Sequence, residues 1–511
     1  MLFNTPLFIF AFLPSVFAVY FILQAYAKNT LFPKLWLVLA SLFFYAFWNV
    51  KYLPLLVGSI VFNYFIALKI HQTPYAMHKK IWLILGLSAN VLLLGFFKYT
   101  DFFLTNFNLL FKSHFELLHL ILPLAISFFT LQQIAYLMDT YKHNKTNANN
   151  YTRENANASL NPNPPFSSFS HFLDYALFVS FFPQLIAGPI VHHSEMMPQF
   201  KDKNNQFLNY RNIAVGLFIF SIGLFKKVVI ADNIAHFADF GFDKAASLSF
   251  IQAWMASLSY SFQLYFDFSG YCDMAIGIAL FFNIKLPINF NSPYKALNIQ
   301  DFWRRWHITL SRFLKEYLYI PLGGNRVRES VVYRNLILVF LIGGFWHGAG
   351  LTFIIWGLLH GIALSVHRMY SHLAKKFHFV TPKILAWLIT FNFVNLGWVF
   401  FRAKDLESAL KVLKGMVGLN GVVFSRFLEE KSDFLNRVND DMWGHTMMYA
   451  SPTFKMCVFI IIISFCLKNS SHLYQSNQMG LAKTISTCFL LAIGFLSIFA
   501  NSQSVFLYFN F

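Results

Sequence analysis

This chain has few charged residues and few cysteines. Only 12% of its 511 residues are Asp, Glu, Lys or Arg, about half the share found in ordinary soluble domains. Its four cysteines lie in apolar surroundings and form no CxxC pair, which favours small buried side chains over a disulfide framework or a metal site. The scarcity of charge argues against a soluble protein, and the sequence has no soluble basic domain that could bind nucleic acid.

Long apolar runs are abundant instead. Hydrophobic residues make up 57% of the chain, and runs long enough to cross a bilayer recur from end to end, about a dozen by the criterion of roughly 17–25 residues. Examples are Pro6–Tyr26, Ile81–Phe97, Phe172–Val191, Ile213–Ala231, Leu351–Val366, Ile384–Phe401 and Leu481–Ala500. The pattern predicts an all-α, multi-pass membrane protein forming one unit over residues 1–511.

The polar stretches between these runs are short and mostly basic. Lys plus Arg is 40 against 22 Asp plus Glu, an excess that is typical of cytoplasmic loops. No Lys or Arg precedes Lys28, so we expect the first run to be a retained span and not a signal peptide. The Asn-rich stretch 143–170 predicts a flexible polar loop, and the partly amphipathic stretch 404–448 predicts a segment lying at the membrane interface.

A histidine within an apolar run is the first candidate for chemistry. His347 lies in Gly343–Gly350, between Trp346 and Gly348. Ionisable groups at membrane depth are costly, and one found there is a functional candidate. The glycines permit close approach of a helix or a substrate, and a neutral imidazole there can act as a general base. The alternative is a histidine that simply hydrogen-bonds between helices.

A second histidine precedes it by forty residues. His307 is flanked by Trp303 and Trp306. A basic cluster surrounds it, which we define by four residues: Arg304, Arg305, Arg312 and Lys315. Such side chains suit the phosphates of a nucleotide-like cofactor or a phosphopantetheine carrier. A positive-inside loop or a lipid headgroup contact explains the charge equally well.

Two further segments carry polar groups in apolar sequence. Asp267 and Asp273 lie in Tyr265–Asp273 and must pair or line a wet cavity. We expect them to partner the basic cluster structurally, and a direct acid/base role is the less favoured alternative. The chain ends in Phe506–Phe511, either an interfacial aromatic belt or a segment that presents the Tyr508 hydroxyl as a nucleophile.

Together these segments resemble the membrane-bound O-acyltransferase superfamily. They are most similar to its bacterial branch of membrane subunits that O-acetylate alginate or peptidoglycan or transfer D-alanine to teichoic acids. The residues that carry the resemblance are Phe181–Ile190, Tyr265–Asp273, Phe302–Gly324, Gly343–Gly348 and Phe506–Phe511. It covers nearly the whole chain, and stretch 143–170 is longer than the branch usually has.

The resemblance implies a helical bundle around a tunnel open to both faces, with re-entrant and interfacial helices. The implied reaction moves an acyl group from a cytoplasmic thioester to an acceptor outside the bacterial inner membrane. His347 matches the most characteristic histidine of the superfamily and His307 the second one of the branch. We assign the base to His347, positioning or acid work to His307, and an acyl relay to Tyr508.

The other assignments follow from the same resemblance. The basic cluster would hold the phosphates of acetyl-CoA, the expected donor, with no permanently bound cofactor and no metal. Supporting roles fall to Trp303, Trp306, Trp346, Asp267 and Asp273. A periplasmic esterase-like partner would complete transfer to a cell-envelope polysaccharide, expected to be peptidoglycan. Alginate, another exopolysaccharide, or D-alanyl transfer from a carrier protein are alternatives.

A transporter is the rival from another class, in which buried histidines relay protons. It predicts internal repeats with broken helices in matching halves, and the sequence contains no such repeat.

Overall fold

The structure, a computed structural model, describes residues 1–27, 30–150, 168–422, 469–475, 479–500 and 506–507. Every regular element within these ranges is helical. In chain order the elements are α1 (Leu7–Tyr26), α2 (Leu31–Ala46), α3 (Val50–Gln72), α4 (Ala76–Phe111), α5 (Ile126–Asn150), α6 (Phe169–Ser180), α7 (Phe182–Leu185), α8 (His193–Lys201), α9 (Tyr210–Lys244), α10 (Phe250–Phe281), α11 (Ile299–Arg305), α12 (Ile308–Phe313), α13 (Glu329–His347), α14 (Leu351–Phe377), α15 (Lys383–Arg402), α16 (Leu406–Met416), α17 (Ser470–Gln475) and α18 (Leu481–Ala500).

Nine of the helices in the described ranges are long and apolar enough to cross a membrane: α1, α3, α4, α9, α10, α13, α14, α15 and α18. Helix α2 is apolar but shorter. The exposed large hydrophobic side chains are spread over these helices, as expected for surfaces that face lipid. The predicted all-α, multi-pass membrane fold is confirmed.

Helix α10 lies at the centre of the bundle and is buried along most of its length. It packs closely on α9 through two pairs of glycines, Gly216 with Gly277 and Gly223 with Gly270. A Cβ atom on Gly223 would lie 2.5 Å from the carbonyl oxygen of Gly270, and one on Gly277 would lie 2.5 Å from that of Gly216. Small residues at membrane helix interfaces permit this approach, and here only glycine fits.

One predicted span is not a continuous helix. The stretch 172–191 is divided into α6 and α7 and then runs without regular structure past Gly188. The ring of Pro183 would clash with the preceding turn if α6 continued. Residues 173–191 are buried throughout, so the broken segment enters the interior of the bundle.

The predicted loop 143–170 was too long at both ends. Helix α5 continues to Asn150, because the stretch 143–150 contains no Pro or Gly and helix propagation adds one hydrogen bond per residue. Helix α6 begins at Phe169, where the Ser168 hydroxyl accepts a hydrogen bond from the His171 amide. Residues 151–167 lie outside the described ranges.

Stretch 404–448 begins with an amphipathic helix, as its sequence suggests. The apolar side of α16 packs against α10, where a Cβ atom on Gly415 would lie 2.7 Å from the side chain of Ala253. Residues 423–448 are outside the described part of the chain, so an interfacial location for this stretch stays a prediction.

Candidate active site

His347 is the last residue of α13 and is buried. Its ring lies between aromatic neighbours, with centroids 4.8 Å from Trp346, 5.2 Å from Trp356 and 5.1 Å from Phe401. Close contact of α13 with α14 fixes this position, since a Cβ atom on Gly344 would lie 2.4 Å from the carbonyl oxygen of Phe353. The imidazole is thus held against an apolar wall at a helix end.

One side of His347 faces a cavity of about 270 Å³. The lining residues are Phe97, Lys98, Asp101, Leu120, Leu122, His347, Gly348, Ala349 and Phe353. The wall therefore combines apolar side chains with an imidazole, an amine and a carboxylate, a composition that suits a ligand with several polar atoms. The predicted tunnel open to both faces stays a prediction.

Helix α4 holds the end of α13 in place. Lys98 Nζ donates to the carbonyl oxygen of Trp346 over 2.5 Å, and the Tyr99 hydroxyl donates to that of Phe345 over 2.6 Å. The rings of Tyr99 and Phe345 stack with centroids 4.1 Å apart. The last carbonyls of a helix lack partners inside it, so these two donors satisfy them and restrain the turn that carries His347.

His307 is buried in the turn between α11 and α12, with a backbone φ of +43°. This left-handed conformation is costly for a non-glycine residue and is retained where the surroundings impose it. Asn289 imposes it here. Its backbone carbonyl accepts from the Ile308 amide, and its side-chain oxygen accepts from the amide and hydroxyl of Thr309.

The same Asn289 oxygen lies 3.2 Å from Nδ1 of His307, which favours the tautomer with its proton on Nδ1. The imidazole also packs edge-to-face on Phe268 at 4.9 Å. His307 lies near enough to His347 for a charge on one ring to act on the other. The structure therefore brings the two predicted histidines into one buried region.

A third buried histidine lies in the same region and was missed from the sequence. His360 of α14 accepts a hydrogen bond at Nδ1 from Nε1 of Trp303 over 3.2 Å, and Trp356 lies between it and His347. The signal was present, because His360 lies in the apolar stretch Trp356–Gly361 and is followed by a glycine.

The three predicted tryptophans line this region. Trp303 contacts His360, and Trp346 contacts His347. Trp306 is buried between Phe302 and Trp398, with centroids 5.7 and 4.8 Å away. Together they form the apolar frame around the histidines.

The basic cluster is partly ion-paired. Arg305 contacts Asp301 at 2.9 Å, and Arg312 donates to both oxygens of Glu195 over 2.6 and 2.9 Å. Burial raises the pKa of Glu195, but hydrogen bonds and charge from Arg312 outweigh it and hold that pKa below its usual range. Arg304 and Lys315 are exposed to solvent.

Helix lengths measure how far the His347 cavity lies from Arg328, before α13, and from Asp139 of α5; we call the end of the molecule that carries Arg328 its basic end. Helix α13 has 19 residues, so Arg328 and His347 are about 28 Å apart along it. On α5, Ser127 accepts from Lys98 at the cavity, whereas Asp139 accepts from the Tyr317 hydroxyl. These two α5 residues are about 18 Å apart along the helix.

Asp139 belongs to a polar cluster that the sequence did not suggest. Its carboxylate lies 3.6 Å from both His192 and His193, and Tyr317 contacts both Asp139 and His192. Glu316 lies 3.6 Å from the other nitrogen of His192. The members come from α5, the start of α8 with the residue before it, and the helical turn after α12, so no single stretch of sequence reveals them.

Asp267 and Asp273 do not partner the basic cluster, and that expectation was wrong. Asp267 pairs with Lys227 at 2.6 Å, and Asp273 pairs with Lys226 at 2.6 Å. Both lysines lie on α9, whose close contact with α10 brings them opposite the aspartates. Because the lysines are 40 and 47 residues earlier in the chain, the basic cluster was the nearer but incorrect choice.

Residues 506 and 507, near the chain terminus, contact the Lys227–Asp267 pair. The Leu507 amide donates to Asp267 over 3.0 Å, and the ring of Phe506 lies 4.5 Å from Lys227 Nζ and 4.8 Å from the ring of Tyr271. Phe506 is buried. Tyr508 lies outside the described residues, so its relay role stays a prediction.

Within the described ranges, no three His, Cys, Asp or Glu side chains are grouped to hold a metal ion.

Comparison with known proteins decides the family. The model of the membrane-bound O-acyltransferase family matches residues 107–409, a range that contains both predicted histidines and the whole basic cluster. The chain belongs to the membrane-bound O-acyltransferase family. It is therefore an acyltransferase, and the resemblance drawn from its motifs is confirmed.

Three relatives of this acyltransferase represent the range of acceptors in its branch. A peptidoglycan O-acetyltransferase of Helicobacter pylori is 84% identical over 100% of this chain and 98% of its own. A probable alginate O-acetylase, AlgI, of Pseudomonas aeruginosa is 39% identical over 81% of this chain and 75% of its own. A teichoic acid D-alanyltransferase of Bacillus subtilis is 29% identical over 45% of this chain and 61% of its own.

Proposed function

We propose that this acyltransferase moves acetyl groups across the bacterial inner membrane for the O-acetylation of peptidoglycan. The observation that carries the proposal is the 84% identity to the Helicobacter pylori peptidoglycan O-acetyltransferase, which spans practically the full length of both chains. Partial or weaker matches to the alginate and teichoic acid enzymes make those acceptors the second choice. Family membership argues against a transporter.

The chemistry follows from the residues around His347. In this mechanism the imidazole accepts the proton of an attacking hydroxyl, whose oxygen forms a bond to the thioester carbonyl carbon. The carbon–sulfur bond then breaks, and the leaving thiolate takes the proton from His347 to become a thiol. His307, whose ring is held by Asn289, positions or protonates the reacting groups from the same buried region.

Acetyl-CoA is the proposed donor, with its phosphates at the basic cluster. Arg304 and Lys315 are exposed there, whereas Arg312 already contacts Glu195 and would have to exchange partners. The orientation follows from charge, since Lys79, Lys80, Arg326 and Arg328 lie at this end of α4 and α13, and basic residues concentrate on the cytoplasmic side. The His347 cavity then faces the periplasm.

Two further steps complete the proposal. Tyr508 carries the acetyl group as an ester, an assignment supported by the contact of neighbouring Leu507 with Asp267 inside the bundle. A periplasmic esterase-like partner then transfers the group to a sugar hydroxyl of peptidoglycan. Deletion of Phe506–Phe511 is expected to abolish acetylation, and unchanged acetylation would contradict the relay.

The experiment that tests the function measures base-labile acetate released from purified peptidoglycan. It compares the wild type, a gene deletion and a His347→Ala strain with matched protein level. We expect the acetate to be lost in both mutants. Acetate unchanged in the deletion strain would exclude peptidoglycan as the acceptor, and acetate lost in the deletion alone would overturn the role of His347.

A further inference from the structure

Lys98 shares the cavity wall with His347. It lies on α4, some 250 residues earlier in the chain, and its Nζ atom contacts the carbonyl oxygen of Trp346, the residue directly before His347. Among the described residues that line this cavity, Lys98 is the only one with a cationic side chain. The residues next to Lys98, Phe97 and Tyr99, form no recognisable motif, so the sequence alone does not mark this part of α4 as functional.

Several polar contacts hold Lys98 Nζ at the cavity wall. The carbonyl at 2.5 Å belongs to the last turn of α13, where the helix dipole is negative and stabilises a cation. Ser127 Oγ lies 3.3 Å away, the ring of Trp346 lies 5.7 Å from Nζ, and Asp101 is on the same cavity wall. An ammonium carries three N–H donors, and these contacts use two of them, which leaves a third for a ligand.

We propose that Lys98 is a catalytic residue that stabilises the oxyanion of the acyl-transfer reaction. This inference rests on the proposed function. When the acceptor oxygen adds to the carbonyl carbon and His347 takes the hydroxyl proton, the carbonyl oxygen gains a negative charge. The Lys98 ammonium donates a hydrogen bond to that oxygen until the carbon–sulfur bond breaks and the carbonyl re-forms.

The position of Lys98 suits this role better than that of Lys226, Lys227 or Arg328. Lys226 and Lys227 are paired with Asp273 and Asp267. Helix α13 separates His347 from Arg328 by about 28 Å, and the Asp139 end of α5 lies about 18 Å beyond Ser127. A preorganised donor in a water-poor site contributes far more to catalysis than one in bulk water.

The test separates the charge of Lys98 from its restraint of α13. Initial rates of acetyl transfer from acetyl-CoA are measured in membrane vesicles at matched levels of folded protein, for Lys98→Gln, Lys98→Arg and Lys98→Met. Gln keeps an N–H donor for the Trp346 carbonyl but has no charge, Arg keeps both, and Met has neither. Tyr99→Phe is the matched comparison, because it removes a neighbouring hydrogen bond to the same helix end.

We expect Lys98→Gln and Lys98→Met to lower kcat by about 10²–10³, the range for loss of an oxyanion donor, with KM little changed. Lys98→Arg should retain more activity than either, and Tyr99→Phe should lose less than about tenfold, as for one neutral hydrogen bond. Lys98→Gln with kcat within threefold of the wild type, or a loss equal to that of Tyr99→Phe, would overturn the proposal. Vesicles in which the wild type itself transfers nothing would count against the proposed function and, with it, the role of Lys98.

Discussion

At the scale of single residues, His347 and His360 show how two buried histidines on adjacent helices differ in their surroundings. His347 lines a cavity, whereas His360 is packed among Trp303, Trp356 and Phe393 and accepts a hydrogen bond from Trp303. A ring that faces a cavity can reach a substrate, and a ring enclosed by side chains acts through its packing. His360 is therefore expected to be structural.

Replacement of His360 by Phe tests this distinction. Phe preserves a planar ring but leaves the Trp303 N–H without its acceptor, which should lower the free energy of unfolding by about 1–3 kcal/mol. Transfer per folded molecule should stay within about tenfold of the wild type, because the barrier of the chemical step is little affected. The measurements are thermal unfolding in detergent and the vesicle assay.

His347→Phe is the matched control and should lose activity by about 10²–10⁴, the usual contribution of a general base. If His360→Phe lost as much activity as His347→Phe at equal protein level, His360 would belong to the catalytic group.

Residue by residue, the sequence located the histidines but not what surrounds them. His347 and His307 were recognisable because each interrupts an apolar or aromatic stretch with a motif known from a family. Lys98 carries no such motif, since its role depends on a carbonyl of Trp346 that the fold brings to it. Asn289 was likewise missed, because its effect on His307 follows from a turn that the sequence alone does not define.

At the scale of elements, close packing of α9 on α10 depends on glycines at four positions. Gly223→Ala is expected to destabilise the protein by about 1–3 kcal/mol, the usual cost of overpacking, because the added Cβ would lie 2.5 Å from the carbonyl of Gly270. Thermal or denaturant unfolding of the purified protein measures this change.

Gly58→Ala provides the control within another membrane-spanning helix, α3. No atom lies within 4 Å of a Cβ built at this position, so the substitution should be stabilising by about 0.5–1 kcal/mol through helix propensity. Equal effects of the two substitutions on unfolding would contradict the packing described for α9 and α10.

The helices could be predicted from the sequence wherever a long apolar run coincides with one continuous helix. Long runs such as Leu481–Ala500 correspond directly to helices. The stretch 172–191 was predicted as one span because hydropathy averages over Pro183, whereas α6 ends at Ser180, shortly before this proline. The two Lys–Asp pairs were beyond prediction, since they require the register of α9 against α10.

At the scale of the whole molecule, the distribution of charge predicts how the protein lies in the membrane. The exposed side chain of Arg326 lies at the basic end, before α13, and that of Lys404 lies at the other end, after α15. In a variant without the four native cysteines, Arg326→Cys should react with a membrane-impermeant maleimide only after permeabilisation. Lys404→Cys should react in intact spheroplasts.

The reverse labelling pattern would invert the orientation and move the His347 cavity to the cytoplasmic side. Retained acetylation in the cysteine-free background is the necessary control, because buried Cys272 lies 3.5 Å from the side-chain nitrogen of Asn289.

The pairing of α9 with α10 also bears on how the chain is assembled. A slip of one helical turn, about 5.4 Å, would separate Lys226 and Lys227 from Asp273 and Asp267 and leave the two aspartates buried without these partners. Such a species should be less stable, because a buried charge that loses its partner is costly, whereas the correct register pairs both aspartates at once. We therefore expect these ion pairs to favour the correct register of α9 against α10 while the chain assembles, before any catalysis takes place.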